Sequence, residues 1–217
     1  MIIVNLDANQ LAAYVRAQIN QLLPTGDDPQ LALIDAYCYV ALKRLDICVS
    51  QVKHWTPGQF DILHSSQYCT FLYYLSNTIW QSEQARSVCT KLFLLNKALN
   101  GIDCFYEIDL PEVFFIGHSV GIVLAKATYG NHLVLYQNST VGKNHGIAPV
   151  LEDGVILYPN TAVIGDCQVR QRSVISQGVS VINQSTKANC MVFQTAAGGL
   201  TFRTPKKDVL ADFFRDV

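Results

Sequence analysis

The spacing of hydrophobic and polar positions changes once along this 217-residue chain, near Asn100-Gly101. Before that point apolar residues recur at helical intervals. Asp7 and Asn9 offer N-caps for a helix through Leu23, which Pro24 and Gly26 end. Asp28-Pro29 starts a second helix, in which Leu31, Ile34, Ala36, Tyr37, Val40, Ala41, Leu42 and Leu45 form a broad apolar stripe. Thr56-Pro57, an N-cap followed by a first-turn proline, opens a third helix carrying His64, Tyr68, Phe71, Leu72, Leu75 and Ile79. A fourth runs from Ser82 to Asn100, with Gly101 as its C-cap. Residues 1–101 are therefore expected to form a helical domain.

After Gly101, glycines, prolines and Asn/Asp punctuate short β-branched runs. Every sixth residue from Leu151 is aliphatic: Leu157, Val163, Val169, Ile175 and Val181. The residue four further on in each hexad, Val155, Thr161, Cys167, Ser173 and Val179, is small or β-branched. Counting back from Thr140 gives Val134, Thr128, Ile122, Ile116 and Leu110, so a loop over 142–150 interrupts the repeat and shifts its frame by one residue. Such a period describes a flat strand plus a turn, three of which close one triangular coil. The aliphatic residue points inward, and the small one fits the crowded corner. The expected fold class is α+β: an N-terminal helical domain (1–101), a left-handed parallel β-helix of hexapeptide repeats (102–200), and a tail with a short helix over 208–214 (201–217). A β-sandwich is the alternative, but it needs sustained period-2 alternation, which is missing.

Composition narrows the function. Hydrophobic residues make up 50% and charged residues 15%, enough apolar material for a large core and for surface covered by other subunits. Net charge is −1 with no Lys/Arg block, which argues against nucleic acid and anionic membrane as partners. No apolar run reaches the ~18 residues of a spanning helix, and the first residues do not resemble a signal peptide. The seven cysteines form no CxxC pair and are expected to be reduced, buried thiols of a cytoplasmic protein. No two histidines lie at i, i+4, and no Cys–His cluster forms, so no metal site is expected.

Ile116-Gly117-His118-Ser119-Val120-Gly121-Ile122-Val123 resembles the Asp-His-x-x-Gly-Ile-Val segment of serine O-acetyltransferases. Tyr136-Gln137-Asn138-Ser139-Thr140-Val141-Gly142 is similar to that family's Gln-x-Val-Thr-Leu-Gly-Gly stretch, and Glu152-Asp153-Gly154-Val155 to its entry into later coils. The resemblance places the chain in the hexapeptide acyltransferase superfamily. It implies a homotrimer, which can pair into a dimer of trimers, with active sites between neighbouring β-helices. It also implies acetyl-CoA as co-substrate in a groove beside the coils.

Within that resemblance His118 is the candidate general base, because imidazole can take a proton from an acceptor hydroxyl near neutral pH. A carboxylate on its far nitrogen would fix the tautomer. Glu107 best matches the family's acidic step; Asp103 and Asp109 are the alternatives, and Asp109 is otherwise an acceptor-binding candidate. His145 lies in the interrupting loop and is the second acceptor-binding candidate. The family's Arg-His pair before the loop proline is Ile147-Ala148 here, and its Asp before the catalytic His is Gly117, which weakens the case for free serine. Gly142 would allow close approach of the pantetheine arm. Ser176 and Gln177 would line it, Ala196-Ala197-Gly198-Gly199 would give another close backbone approach, and Lys206-Lys207 would meet nucleotide phosphates. Tyr73, Tyr74, Trp80 and Trp55 are assigned to the helical core or an interface.

Three alternatives stand beside an acetyltransferase acting on serine or a similar small hydroxylated acceptor. The acceptor is a sugar of a surface polysaccharide, or the β-helix is a non-catalytic trimeric scaffold. In the third, Gly117-His118-Ser119-Val120-Gly121 is a hydrolase nucleophile elbow with Ser119 as nucleophile, which requires a strand before it and a helix after it.

Overall fold

The computed structural model describes residues 1–217. Its first half holds helices α1 (Leu11–Leu22), α2 (Ala32–Gln51), α3 (Ser65–Glu83) and α4 (Arg86–Asn100). Gly101 ends α4 in the left-handed region at φ +65°, as its C-cap role requires. Helix α3 is the centre of this half, with every residue from Ser66 to Ile79 buried.

Two boundaries differ from expectation. Thr56-Pro57 does not open a helix. That stretch leads into β2 (Gln59–Asp61), which pairs in parallel with β1 (Ile2–Val4), and Phe60 is fully buried there. Pairing with β1 and burying Phe60 outweigh the local cap signal. Helix α3 instead begins after His64, whose Nδ1 accepts from the Gln67 N–H at 3.4 Å. The third and fourth helices divide at Gln84, which is left-handed at φ +50°, rather than at Ser82.

From Asp103 the chain winds as a three-sided parallel β-helix. One face stacks β3 (Asp103–Cys104), β5 (Val123–Leu124), β8 (Thr140–Gly142), β11 (Ala162–Ile164) and β14 (Ser180–Ile182). The second stacks β4 (Phe114–Ile116), β7 (Leu133–Leu135), β10 (Ile156–Leu157), β13 (Val174–Ile175) and β15 (Met191–Gln194), with β16 (Leu200–Arg203) added antiparallel. The third holds β6 (Thr128–Tyr129), β9 (Val150–Leu151) and β12 (Gln168–Val169). The α+β class expected from the sequence is the one observed.

The hexad positions after the loop behave as expected. Leu151, Leu157, Val163, Val169, Ile175 and Val181 are all at 0% exposure, and the corner residues Val155, Thr161, Cys167, Ser173 and Val179 are buried beside them. Before the loop the expected frame is corrected. Register pairs Val141 with Val163, Leu135 with Leu157 and Tyr129 with Leu151, so Thr140 and Thr128 face outward. Tyr129 and its partner Leu151 are 22 residues apart, against 18 for Leu151 and Val169, so the loop inserts four residues. The frame was ambiguous because both sides of β7 are buried: Val134 as completely as Leu135.

Along two of the edges every corner turns through one left-handed residue. At one edge these are Gly121, Asn138, Asn160 and Gly178; at another, His132, Gly154, Arg172 and Asn189. Gly and Asn dominate because they enter that region at least cost. The Asn138 amide donates to Asn160 Oδ1 at 2.9 Å along the stack.

The helical half sits over the first coil, where Phe114 packs 5.7 Å from Tyr73 and 5.5 Å from Tyr74. After β16 the chain returns as a strap over the outer side of the second face. Its only helical turn is the 3-10 segment Leu210–Asp212, shorter than the helix expected over 208–214. Burial of Leu210, Phe213 and Phe214 against that face holds the strap flat. Arg215 donates to the carbonyls of Ser50 (2.8 Å) and Trp55 (2.6 Å), among others, satisfying groups that the end of α2 leaves bare. The first face is uncovered: Val123 and Ile182 are 44% and 45% exposed. No helix is long and apolar enough to cross a membrane.

Candidate active site at the first coil corner

His118 stands exposed at the corner that follows β4. Both neighbours in sequence are fixed to the helical half. The Gly117 carbonyl accepts from Ser66 Oγ of α3 at 3.2 Å, and Ser119 Oγ donates to the Asn100 carbonyl at the end of α4 at 2.7 Å. The Gly121 N–H donates to the Gly101 carbonyl at 3.0 Å. The helices thereby hold the imidazole-bearing corner from two directions.

These contacts remove the hydrolase reading. Ser119 is buried with its hydroxyl committed to a backbone carbonyl, and the segment after it is strand β5 rather than a helix.

None of the three candidate carboxylates is hydrogen-bonded to His118 within the chain. Glu107 pairs with Lys126 at 3.2 Å, Asp103 with Lys97 at 2.6 Å, and Asp109 accepts from the Gln81 amide at 2.8 Å. Instead, the Tyr136 ring lies 6.3 Å from the imidazole. It explains Gly117: a Cβ at that position would fall 2.6 Å from Tyr136 Cε1 and 2.9 Å from Cδ1. Tyr136 stacks on Tyr158 of the next coil, centroids 5.6 Å apart, and meets Phe213 of the strap edge-on at 6.2 Å. Burial raises the pKa of both phenols, so both stay protonated at neutral pH.

The other expected residues lie further along the coils. His145 and Gly146 are the two left-handed residues at the tip of a tight hairpin turn, closed by mutual hydrogen bonds between Asn144 and Ile147 at 2.9 and 3.0 Å. The turn leaves His145 exposed. Gly142 ends β8, and a Cβ there would meet only the Ile164 side chain, at 3.4 Å. Ser176 is on the same edge as Gly117, Tyr136 and Tyr158, in step with them through the ladder. Its hydroxyl is buried without a partner, as is Gln137 Oε1 beside Tyr136. Gln177 is exposed. Lys206 is exposed and makes no ion pair, whereas Lys207 is bound to Asp212 at 2.7 Å. Ala196 to Gly199 form the turn between β15 and β16, on the far side of four coils from His118.

Tyr73, Tyr74 and Trp80 belong to the core, as expected. Tyr73 Oη donates to the Ile108 carbonyl and accepts from the Leu110 N–H, both at 2.8 Å, and Trp80 packs 5.0 Å from Tyr106. Tyr158 and Phe213 were not singled out from the sequence. Tyr158 becomes visible only when the four-residue insertion is counted, because it then falls one coil after Tyr136.

No protein-family model and no curated protein matches the chain. Solved structures do. Serine acetyltransferase from Brucella abortus strain S19 superposes with a TM-score of 0.68 at 16% identity, covering 92% of this chain and 86% of that one. The Neisseria gonorrhoeae serine acetyltransferase in complex with serine gives 0.65 at 14%, over 86% and 82%. The fold is that of the serine acetyltransferases. A further serine acetyltransferase, in complex with CoA, superposes with a TM-score of 0.66 at 14% identity, over 91% and 86%. The family resemblance carried by the His118 segment and the likeness of the whole fold thus agree.

Proposed function

We propose that the chain is an acetyl-CoA-dependent O-acetyltransferase in which His118 is the general base. The observation that carries this is His118 itself: an exposed imidazole at a coil corner that two helices hold in place, on a fold shared with an enzyme seen in complex with CoA. His118 takes the acceptor hydroxyl's proton as the oxygen adds to the thioester carbonyl. It returns that proton to sulfur as the C–S bond breaks, leaving an acetyl ester and free CoA. Backbone N–H groups near Gly142 would stabilise the carbonyl oxygen as it gains charge.

The co-substrate's arm fits the residues present. Gly142 presents bare backbone at the end of β8, where a Cβ would meet only the Ile164 side chain, and Ser176 offers a buried hydroxyl that has no protein partner. Lys206 is an unpaired cation for the phosphates, and Gln177 an exposed amide on the same coil as Ser176. Glu107, across the Lys126 pair, is kept as the imidazole's acidic partner, and Asp109 and His145 as acceptor contacts. In our reading the β-helix, 102–200, carries the transfer chemistry; the helical domain, 1–101, positions it; and 201–217 is the tail. The exposed Val123 and Ile182 on an uncovered face support assembly as a homotrimer, which would bring a neighbour's His145 turn towards the site. Seven free, buried cysteines support a cytoplasmic location.

The test is CoA release from acetyl-CoA, followed with a thiol reagent across L-serine and simple sugars. Buried thiols such as Cys48 (pKa raised to about 11) and Cys69 (about 12) will not compete with CoA for the reagent. Acceptor-dependent release that His118→Ala abolishes supports the reading. Full-rate release by that variant refutes the base, and silence with every acceptor favours a scaffold.

A further inference from the structure

We infer that the acceptor is a carbohydrate ring, seated against Tyr136 and Tyr158 beside His118. This rests on the acetyltransferase reading of that site. Three observations lead to it.

The first is exclusion. A free amino acid bears an ammonium and a carboxylate close to its hydroxyl, and each needs an opposite charge when it leaves water. The serine acetyltransferase pattern has a carboxylate directly before the base. Here the Tyr136 ring fills that space so completely that not even a Cβ fits at residue 117. On the loop, the family's cationic pair is replaced by Ile147, 51% exposed, and Ala148. Of the three acidic candidates upstream, Glu107 and Asp103 are already paired with Lys126 and Lys97, and Asp109 is held by the Gln81 amide.

The second is what fills the space. Tyr136 and Tyr158 stack at 29° on successive coils, each partly exposed, with Phe213 of the strap at the edge of Tyr136. Neither phenol hydroxyl is bonded within the chain, and neither is sealed from solvent. An uncharged ring with an apolar C–H face and a rim of hydroxyls matches an aromatic surface edged by phenols.

The third is an unmet acceptor. Gln137 Oε1 has no donor, and Gln137 follows Tyr136 on the coil that stacks on the His118 corner. A ring hydroxyl would supply the missing proton.

The experiment is saturation-transfer NMR on the whole protein without acetyl-CoA. The probes are the methyl glycosides of glucose, galactose and N-acetylglucosamine, with L-serine alongside. We expect transfer to at least one glycoside and none to serine. Tyr136→Ala should weaken that binding about 10-fold, a loss of ~1.4 kcal/mol, and Tyr136→Phe by less. If Tyr136→Ala does not fold, Tyr158→Ala carries the same expectation. No transfer to any glycoside overturns the inference, and so does glycoside binding that both alanine variants leave intact. The CoA-release assay with the same panel judges the reading beneath it. Glycoside binding without release keeps the platform and removes the acetyltransferase. Serine-dependent release without glycoside binding does the reverse.

Discussion

The coils before and after the His145 turn are built differently. From Leu151 to Val181 the inward residue recurs every six positions without exception and is always aliphatic. Before the turn the inward series runs Leu124, Tyr129, Leu135, Val141, with one step of five and an aromatic in the prism. The later coils are covered on one side by a strap; the first coils are also gripped by α3 and α4. His118, Tyr136 and the turn itself all belong to the irregular part. A strict repeat gives stability without distinguishing one coil from the next. Chemistry needs a unique place, and the site proposed here lies where the repeat is broken and other elements take over its support.

That contrast can be broken in order of expected effect. His118→Ala should lower CoA release by about 10²–10⁴-fold, the usual contribution of a general base, while leaving the melting temperature unchanged. A fall in both would mean that the corner is structural. In the regular coils the reverse holds: Leu157→Ala should cost about 2–5 kcal/mol in denaturant unfolding, because its neighbours above and below cannot collapse into the gap.

Gly117→Ala sharpens the comparison from the irregular side. Its Cβ must displace Tyr136, for about 1–3 kcal/mol, and most of that cost should vanish in a Tyr136→Leu background. Equal costs in both backgrounds would show that the ring does not fill the space.

The smallest effect concerns His132, left-handed at φ +57° and edge-on to Phe214 at 5.0 Å. Burial, helped by the Arg172 charge and opposed by Asp153, holds its pKa below the ordinary histidine value. The unfolded chain therefore takes up this proton first as pH falls. The stability His132 contributes is full above about pH 6.5 and is lost as pH drops through the value in the folded protein. His132→Asn, which tolerates the same φ, should flatten the melting temperature between pH 7 and 5. An unchanged slope would assign the pH dependence elsewhere.

The regular coils were legible because, although Ile156 and Val174 are buried beside Leu157 and Ile175, the frame that runs through them is broken by Gln168 and Ser180, whereas the true one is aliphatic at every step. The first coils were not. With Val134 and Leu135 both buried, hydrophobicity no longer marks which side of the strand is inside, and a frame through Thr140 and Thr128 fits as well as the true one through Val141 and Tyr129. The helices were legible except at the α3–α4 division and at Thr56-Pro57, where pairing with a strand more than 50 residues away overrode a local signal. His118 was singled out by motif alone. Its aromatic surroundings were not, because Tyr136, Tyr158 and Phe213 meet only through coil register and the returning strap.

The strap also sets a timetable. Arg215 finds its acceptors at residues 49–55, some 160 residues earlier in the chain. Helices and coils can assemble from neighbours as the chain leaves the ribosome. Phe213 and Arg215 emerge only after everything they cover. Until then the outer side of the second face stays greasy and the end of α2 stays open. A nascent chain of this protein therefore spends the last part of its synthesis with the His118 corner already held, but without the strap's clasp across its two halves.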